Sequence, residues 1–214
     1  MSESSRTTVV TQYGVPAERA VCVGGGPVAA LAVEPDADRY RRQNIVFVGY
    51  DWERKGGPEV VDAFAQVRRQ LPNATLTIVG ASPAISQAGV DVVGPVPPTE
   101  VGRFLGRASA FCMPSRREPF GLVYIEAMHA GLPVVARRQG AVLDFVIDEQ
   151  TGFLVDQDPR ALADALVRLL RDPDRCAEMG KRARTLVETR YTWEHTQRVM
   201  WDAIRPRLSE PRQA

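Results

Sequence analysis

Short runs of β-branched and apolar residues alternate along the chain with longer segments in which apolar positions recur every three or four residues. The runs Ile45 to Val48, Thr75 to Val79, Val90 to Val93, Ala110 to Met113, Pro133 to Ala136 and Phe153 to Val155 read as strands. Their near-continuous apolarity predicts burial on both faces, as in a parallel sheet covered by helices. Val60, Phe64, Val67 and Leu71 form a helical stripe after Pro58, with Asp62, Gln66 and Arg69 on the other positions. Leu162, Ala165, Leu166, Leu169 and Leu170 form another, with Asp158 as N-cap and Pro159 as the first helical residue. Leu122 to Ala130, Asp174 to about Thr189, and Trp193 to Ile204 complete the helices, the last capped by Thr192 and ending before Pro206. The alternation predicts an α/β fold with a doubly wound, mostly parallel sheet.

Residues 1–43 differ in character: a polar start, a short apolar strand candidate at Ala20 to Val23, three glycines, then a mixed-charge stretch from Glu34 containing Pro35. They read as a lead-in or linker, 44–205 as the folded domain and 206–214 as a flexible tail. Gly24-Gly25-Gly26-Pro27-Val28-Ala29 matches the dinucleotide pattern G-x-G-x-x-A. Only Val28 to Glu34 separates it from Pro35, too little for a crossover helix, and Asp36 and Asp38 come too soon to bind a ribose. A turn is the better reading. Asp36-Ala37-Asp38 resembles a metal-carboxylate pair but sits in a Pro-flanked polar loop, so a solvated turn is expected there.

Composition narrows the classes. Lys and Arg number 27 against 26 Asp and Glu, a net charge of +1, and no basic block marks a nucleic-acid surface. Three widely spaced cysteines, Cys22, Cys112 and Cys176, suggest neither a disulfide framework nor a zinc site and fit a reducing cytosol. No stretch reaches the roughly 18 apolar residues of a membrane span, which leaves only a peripheral membrane contact open.

The candidate chemistry lies between Phe111 and Ala136, which reads strand, loop, helix, turn, strand. The loop falls at the C-terminal edge of a parallel sheet, where open α/β folds bind ligands. Main-chain N–H groups of Phe120, Gly121 and Leu122 fall at a helix N-terminus, suited to an anion such as a diphosphate. Gly121 permits close approach to the backbone. Glu118 and Glu126 are eight residues apart and can face one cleft; a carboxylate accepts from vicinal hydroxyls of a sugar or ribose. From spacing alone, a helix-dipole role for Glu118 and a surface role for Glu126 serve equally well.

The run Pro114-Ser115-x-x-Glu118-Pro119-Phe120-Gly121-Leu122-x-x-x-Glu126-Ala127-Met128-x-x-Gly131-x-Pro133-Val134-Val135-Ala136 resembles the E-x7-E signature of the retaining, GT-B fold glycosyltransferases of glycosyltransferase family 4. Phe47-Val48-Gly49 followed by Arg54-Lys55-Gly56 resembles that family's phosphate-contacting Lys-Gly turn, Thr151 to Val155 its strand before the closing helices, and Tyr191-Thr192-Trp193 the motif opening its last helix. The resemblance covers about Tyr13 to Arg205. It implies a Rossmann-like domain, the C-terminal donor-binding half of a GT-B enzyme. Glu118 would bind donor-sugar hydroxyls, Glu126 the nucleotide ribose, and Phe120, Gly121 and Leu122 would offer amides to the diphosphate. Lys55 would stabilise the diphosphate as leaving group in a metal-independent, retaining transfer. The donor would be a UDP-, GDP- or ADP-linked sugar, with no cofactor and no metal, and base selection is expected near Gly80 and Val92 to Val96.

Two departures stand out. The family usually carries Arg after the first strand's glycine, where this chain has Tyr50; Arg54 is the candidate to replace it. The acceptor-binding half is absent from these residues, so the expectation is either a truncated half or completion by a separate acceptor-domain chain or a homo-oligomer. The alternative is a non-catalytic nucleotide-sugar-binding or interaction module of the same descent. His129 and His195 read as structural or surface residues.

Overall fold

The computed structural model describes residues 2–27, 36 and 38–208. Val28 and Ala29 of the glycine-rich motif, Ala37 of the acidic turn, and 209–214 of the expected tail lie outside the described residues. The elements run α1 (Glu3–Tyr13), β1 (Asn44–Gly49), α2 (Gly57–Gln70), β2 (Thr75–Gly80), β3 (Val90–Gly94), α3 (Pro98–Arg107), β4 (Ala110–Met113), α4 (Leu122–His129), β5 (Val134–Arg137), β6 (Gly152–Val155), α5 (Pro159–Leu170), α6 (Pro173–Arg190) and α7 (Trp193–Leu208).

All six strands pair in parallel in the order β3-β2-β1-β4-β5-β6. Ile45, Val46 and Phe47 are wholly buried in succession, as are Phe111, Cys112 and Met113, so β1 and β4 are covered on both faces. The chain winds outward from β1 through β2 to β3, then returns across the sheet to β4 and winds the other way. Right-handed crossovers therefore place the connecting helices of the two halves on opposite faces. On one face α2 packs against α5, and on the other α4 packs against α6. Val60, Phe64 and Val67 of α2 are fully buried, each contributing about 2 kcal/mol of burial.

Caps follow the local chemistry. The Asp158 carboxylate accepts from Arg160 N at 2.9 Å, Asp172 from Arg175 N at 2.9 Å, and Thr192 Oγ1 from His195 N at 3.0 Å. Asp36 accepts from Asp38 N and pairs with Arg42, so both of its carboxylate oxygens have partners.

Four expectations need correcting. The polar start holds α1, whose N-cap Ser2 accepts from Ser5 N at 3.1 Å and whose residues are all at least partly exposed. Pro98 opens α3, which the paired prolines had hidden. Ala20 to Val23 is not a strand: it runs beside α7 rather than along a sheet edge, Val21 and Val23 sharing a hollow with Met200 and Ile204. Finally, α7 continues through Pro206 to Leu208, because a proline so near the end removes only one late hydrogen bond.

Candidate functional site

The order of strands creates the site. The direction in which the chain winds across the sheet reverses between the parallel strands β1 and β4, and the loops leaving their C-terminal ends border a crevice, the usual ligand position in an open α/β sheet. The loop after β1 folds as a tight turn: Lys55 N donates to Asp51 O at 2.9 Å and Gly57 N to Trp52 O at 2.9 Å. Gly56 takes φ +78°, and a Cβ there would lie 2.5 Å from Pro114 O, so only glycine lets this turn meet the β4 loop.

The two loops are stitched together. Arg116 N donates to Arg54 O at 2.8 Å, Arg54 Nη1 to Arg117 O at 3.0 Å, and Ser115 Oγ to Arg54 O at 3.3 Å. Arg54 Nε also pairs with Asp51 at 2.7 Å, and this hydrogen bond holds the Asp51 carboxyl below its usual range. Arg54 thus ties one loop to the other while lining the cleft.

Lys55 and Glu118 come together across these loops, Nζ to Oε2 at 2.5 Å, with side-chain exposures of 14% and 6%. A cleft of about 500 Å³ is lined by Gly49, Tyr50, Arg54, Lys55, Leu122 and Glu126, among others. Glu118 is buried behind Lys55 at its edge. Gly121 is the N-cap of α4 with φ +88°. Among the described residues no backbone carbonyl takes the N–H groups of Phe120, Gly121 or Leu122, so they remain available at the positive end of the helix. The Phe120 ring turns elsewhere, into a second cavity, where a Cβ on Gly25 would lie 2.7 Å from its Cζ.

Sequence reasoning gave no structural role to three supporting groups. Tyr124, wholly buried, donates its phenol to Met113 O at 2.5 Å and fixes the end of β4; burial, then the Glu118 charge, push that phenol well above its ordinary value. Glu59 pairs with Arg116 at 2.9 Å and Arg137 at 3.4 Å. Burial pushes the Glu59 carboxyl up, but the Arg116 hydrogen bond helps outweigh it and the net direction is down. Tyr50 spans the cleft mouth, its phenol donating to Val96 O at 3.1 Å. None of the three carries a motif; each depends on a residue brought near only by folding.

Comparison with known proteins agrees with this layout. The family model described as "Glycosyl transferases group 1" matches residues 37–186. The chain belongs to the group 1 glycosyl transferases. It is 30% identical, over 90% of its length, to the GDP-mannose-dependent alpha-(1-6)-phosphatidylinositol monomannoside mannosyltransferase of Mycolicibacterium smegmatis. It covers 58% of that relative, so the chain spans little more than half of it. The fold superposes on sucrose-phosphate synthase of Thermosynechococcus elongatus with a TM-score of 0.78 at 28% identity, covering 98% of this chain and 57% of the synthase. It also superposes on Anabaena HepE, solved with UDP and glucose, with a TM-score of 0.79 at 19% identity, covering 98% of this chain and 62% of HepE. The Rossmann-like, doubly wound architecture of this group 1 chain is thus that of one half of GT-B structures. Among its described residues no helix is long and apolar enough to cross a membrane, and no group of three or more His, Cys, Asp or Glu is arranged to hold a metal ion.

Proposed function

We infer that this chain is the donor-binding half of a retaining glycosyltransferase, taking a nucleoside diphosphate sugar in the β1–β4 crevice and acting with an acceptor-binding domain. The observation that carries the reading is the convergence of Lys55, Leu122 and Glu126 on one cleft, with Lys55 ion-paired to Glu118 at its edge. The dependence of the mycobacterial relative on GDP-mannose and the UDP bound to HepE support the donor class.

In this reading the diphosphate lies over the N-terminus of α4, its oxygens accepting from the Phe120, Gly121 and Leu122 amides. Glu126 accepts from the ribose hydroxyls and Glu118 from hydroxyls of the transferred sugar. As the bond between the anomeric carbon and the diphosphate oxygen breaks, negative charge accumulates on the departing diphosphate. Lys55 and the amides are already in place to meet it, and fixed donors of this kind stabilise the transition state more than the ground state. Arg54 adds a guanidinium on the same side. The role that a metal ion fills in other transferases falls here to Lys55 and the amides, so transfer proceeds without one.

Calorimetric titration with GDP, UDP, ADP and their hexose conjugates tests the proposal. Saturable binding of one nucleotide, weakened about tenfold or more, or about 1.4 kcal/mol, by Lys55→Ala and by Glu126→Ala, is the expected result. A folded chain that binds none of them at millimolar concentration would overturn it.

A further inference from the structure

The Phe120 N–H can meet a diphosphate only if its peptide plane is turned toward the crevice, and the group that sets this plane lies outside the crevice. The plane also carries the Pro119 carbonyl, and in a trans peptide C=O and N–H point in opposite directions. No cis peptide bond occurs among the described residues. Ser2 Oγ donates to Pro119 O at 2.8 Å. The carbonyl therefore faces the start of α1, and the Phe120 N–H faces the other way. Ser2 lines the second cavity together with the Phe120 and Phe145 side chains, whereas Leu122 and Glu126 line the donor cleft. The preceding carbonyl is also taken from outside the crevice, Glu118 O accepting from Ala141 N at 3.2 Å.

Ser2 is only 3% exposed, and its hydroxyl is fully used. A hydroxyl has one proton and two lone pairs. The proton goes to Pro119 O, and the lone pairs accept from Ser5 N at 3.1 Å and Ser5 Oγ at 2.8 Å. Ser5 Oγ is 3.3 Å from Pro119 O, so the shorter Ser2 contact takes the carbonyl and Ser5 supports it through Ser2. Hydrogen bonds in such a chain polarise one another, and a carbonyl that accepts makes the N–H of its own peptide a stronger donor. Glu3 N donates to Asp144 Oδ2 at 2.8 Å and fixes the same end of α1. Farther along, Arg6 bonds to Ala20 O at 2.7 Å. Because α1 buries none of its own residues, polar bonds of this kind hold it in place.

Without the Ser2 bond, rotation about Pro119 ψ and Phe120 φ exchanges the two ends of this peptide. A carbonyl would then present its negative end where an anion's oxygen is to sit. We propose that Ser2 is a positioning residue for the donor site, its hydroxyl holding the Pro119–Phe120 peptide with the N–H toward the diphosphate and α1 serving as the strap that carries it. The inference rests on the donor reading of the crevice. It gives a function to the polar start of the chain, which by pattern alone is only a lead-in.

Nuclear magnetic resonance of the full chain, with its seven phenylalanines labelled with nitrogen-15, follows the Phe120 amide directly. Ser2→Gly removes the hydroxyl without adding charge and disturbs the α1 N-cap little, since glycine is tolerated there; Ser2→Thr keeps the hydroxyl. Before any ligand is added, Ser2→Gly is expected to move the Phe120 amide proton upfield. GDP, UDP, ADP and their parent nucleosides are then titrated. The nucleotide that binds should move that proton downfield saturably in the natural chain. Ser2→Gly is expected to raise its dissociation constant about tenfold and leave the affinity for the parent nucleoside, which lacks the diphosphate, unchanged. Ser5→Ala, which leaves the cap in place, should raise it about threefold, and Ser2→Thr should restore it. Unaltered nucleotide affinity in Ser2→Gly, or a loss shared equally by nucleotide and nucleoside, would overturn the inference and leave the donor reading standing. A folded natural chain that binds none of the nucleotides would remove the donor reading and the inference with it.

Discussion

Removing one member of the Lys55–Glu118 pair should cost far more than removing both. At 2.5 Å the Coulomb attraction is about 7 kcal/mol at an effective dielectric of about 20. Desolvation of two mostly buried ions offsets several kcal/mol for each, so the pair is close to neutral in net stability. The asymmetry appears on mutation. Lys55→Met leaves Glu118 charged with only 6% of its side chain exposed, a loss of about 3–5 kcal/mol. Glu118→Gln costs less, about 1.5–3 kcal/mol, because Lys55 can swing its ammonium toward the cleft. The double variant should lie well below the sum, giving a coupling of about 2 kcal/mol or more. Urea unfolding of the four proteins measures this, with equal m-values checking that the denatured state is unchanged. Repeating the cycle with saturating GDP should shrink the coupling, since in the proposed function Lys55 then exchanges the carboxylate for a diphosphate. Single effects each under about 1 kcal/mol and strictly additive would place the pair among ordinary exposed salt bridges and refute the reasoning.

Three further outcomes are expected. The Glu59 carboxyl has a lowered folded-state pKa, so its contribution is complete above the ordinary glutamate value of about 4.3 and is lost as pH falls through the folded value; the stability gap between the natural chain and Glu59→Gln should close in urea melts below that pH. Gly57→Ala would drive a Cβ to 2.1 Å from Trp52 Cε3 and push that ring off Phe47, its edge-to-face partner at 5.3 Å, lowering stability by about 1–3 kcal/mol in thermal melts. Tyr50→Arg, which restores the residue usual in the family and removes the phenol bond to Val96 O, should tighten GDP binding by about 1 kcal/mol through a charge-assisted bond; unchanged or weaker calorimetric affinity would place position 50 outside the diphosphate's reach.

The sheet was legible because its strands are short apolar runs buried on both faces, a pattern that needs no knowledge of partners. Helix α1 was not: it has no apolar stripe, and Thr7, Thr8, Val9, Val10 and Thr11 are five consecutive β-branched residues of modest helix propensity. Its anchorage is tertiary, Ser2 Oγ donating to Pro119 O at 2.8 Å. Helix α3 does carry a signal, Val101, Phe104 and Leu105 at helical spacing, obscured by Pro97-Pro98 and Gly102. The apolar run Ala20 to Val23 resembled a strand because a sequence does not tell whether a sheet edge lies within reach. The glycine run has a physical cause that spacing could not reveal: Gly25 packs against Phe120, and a Cβ on Gly26 would lie 2.8 Å from Trp193 Cδ1. At the site, the motif located both glutamates, yet the partner that ion-pairs with Glu118 stands 63 residues earlier in the chain.

Because of that separation, the Lys55–Glu118 pair depends on two loops being fastened to each other. Lys55 and Glu118 belong to loops that follow different strands, and an isolated loop would hold neither charge in place. The bonds Arg116 N to Arg54 O and Arg54 Nη1 to Arg117 O fasten the loops together just before Lys55 and Glu118. The close approach of Gly56 to Pro114 O allows no side chain between them. In the proposed function the ammonium is therefore positioned before any donor arrives, held by a carboxylate that the donor sugar's hydroxyls would engage in its place. A cation fixed in this way needs little reorganisation when charge develops on a leaving diphosphate, which is the condition for stabilising the transition state beyond the ground state. Arg54 therefore serves the site through its anchoring bonds at least as much as through its charge. A substitution there should disturb Lys55 placement even where the loss of a positive charge is made good elsewhere in the cleft.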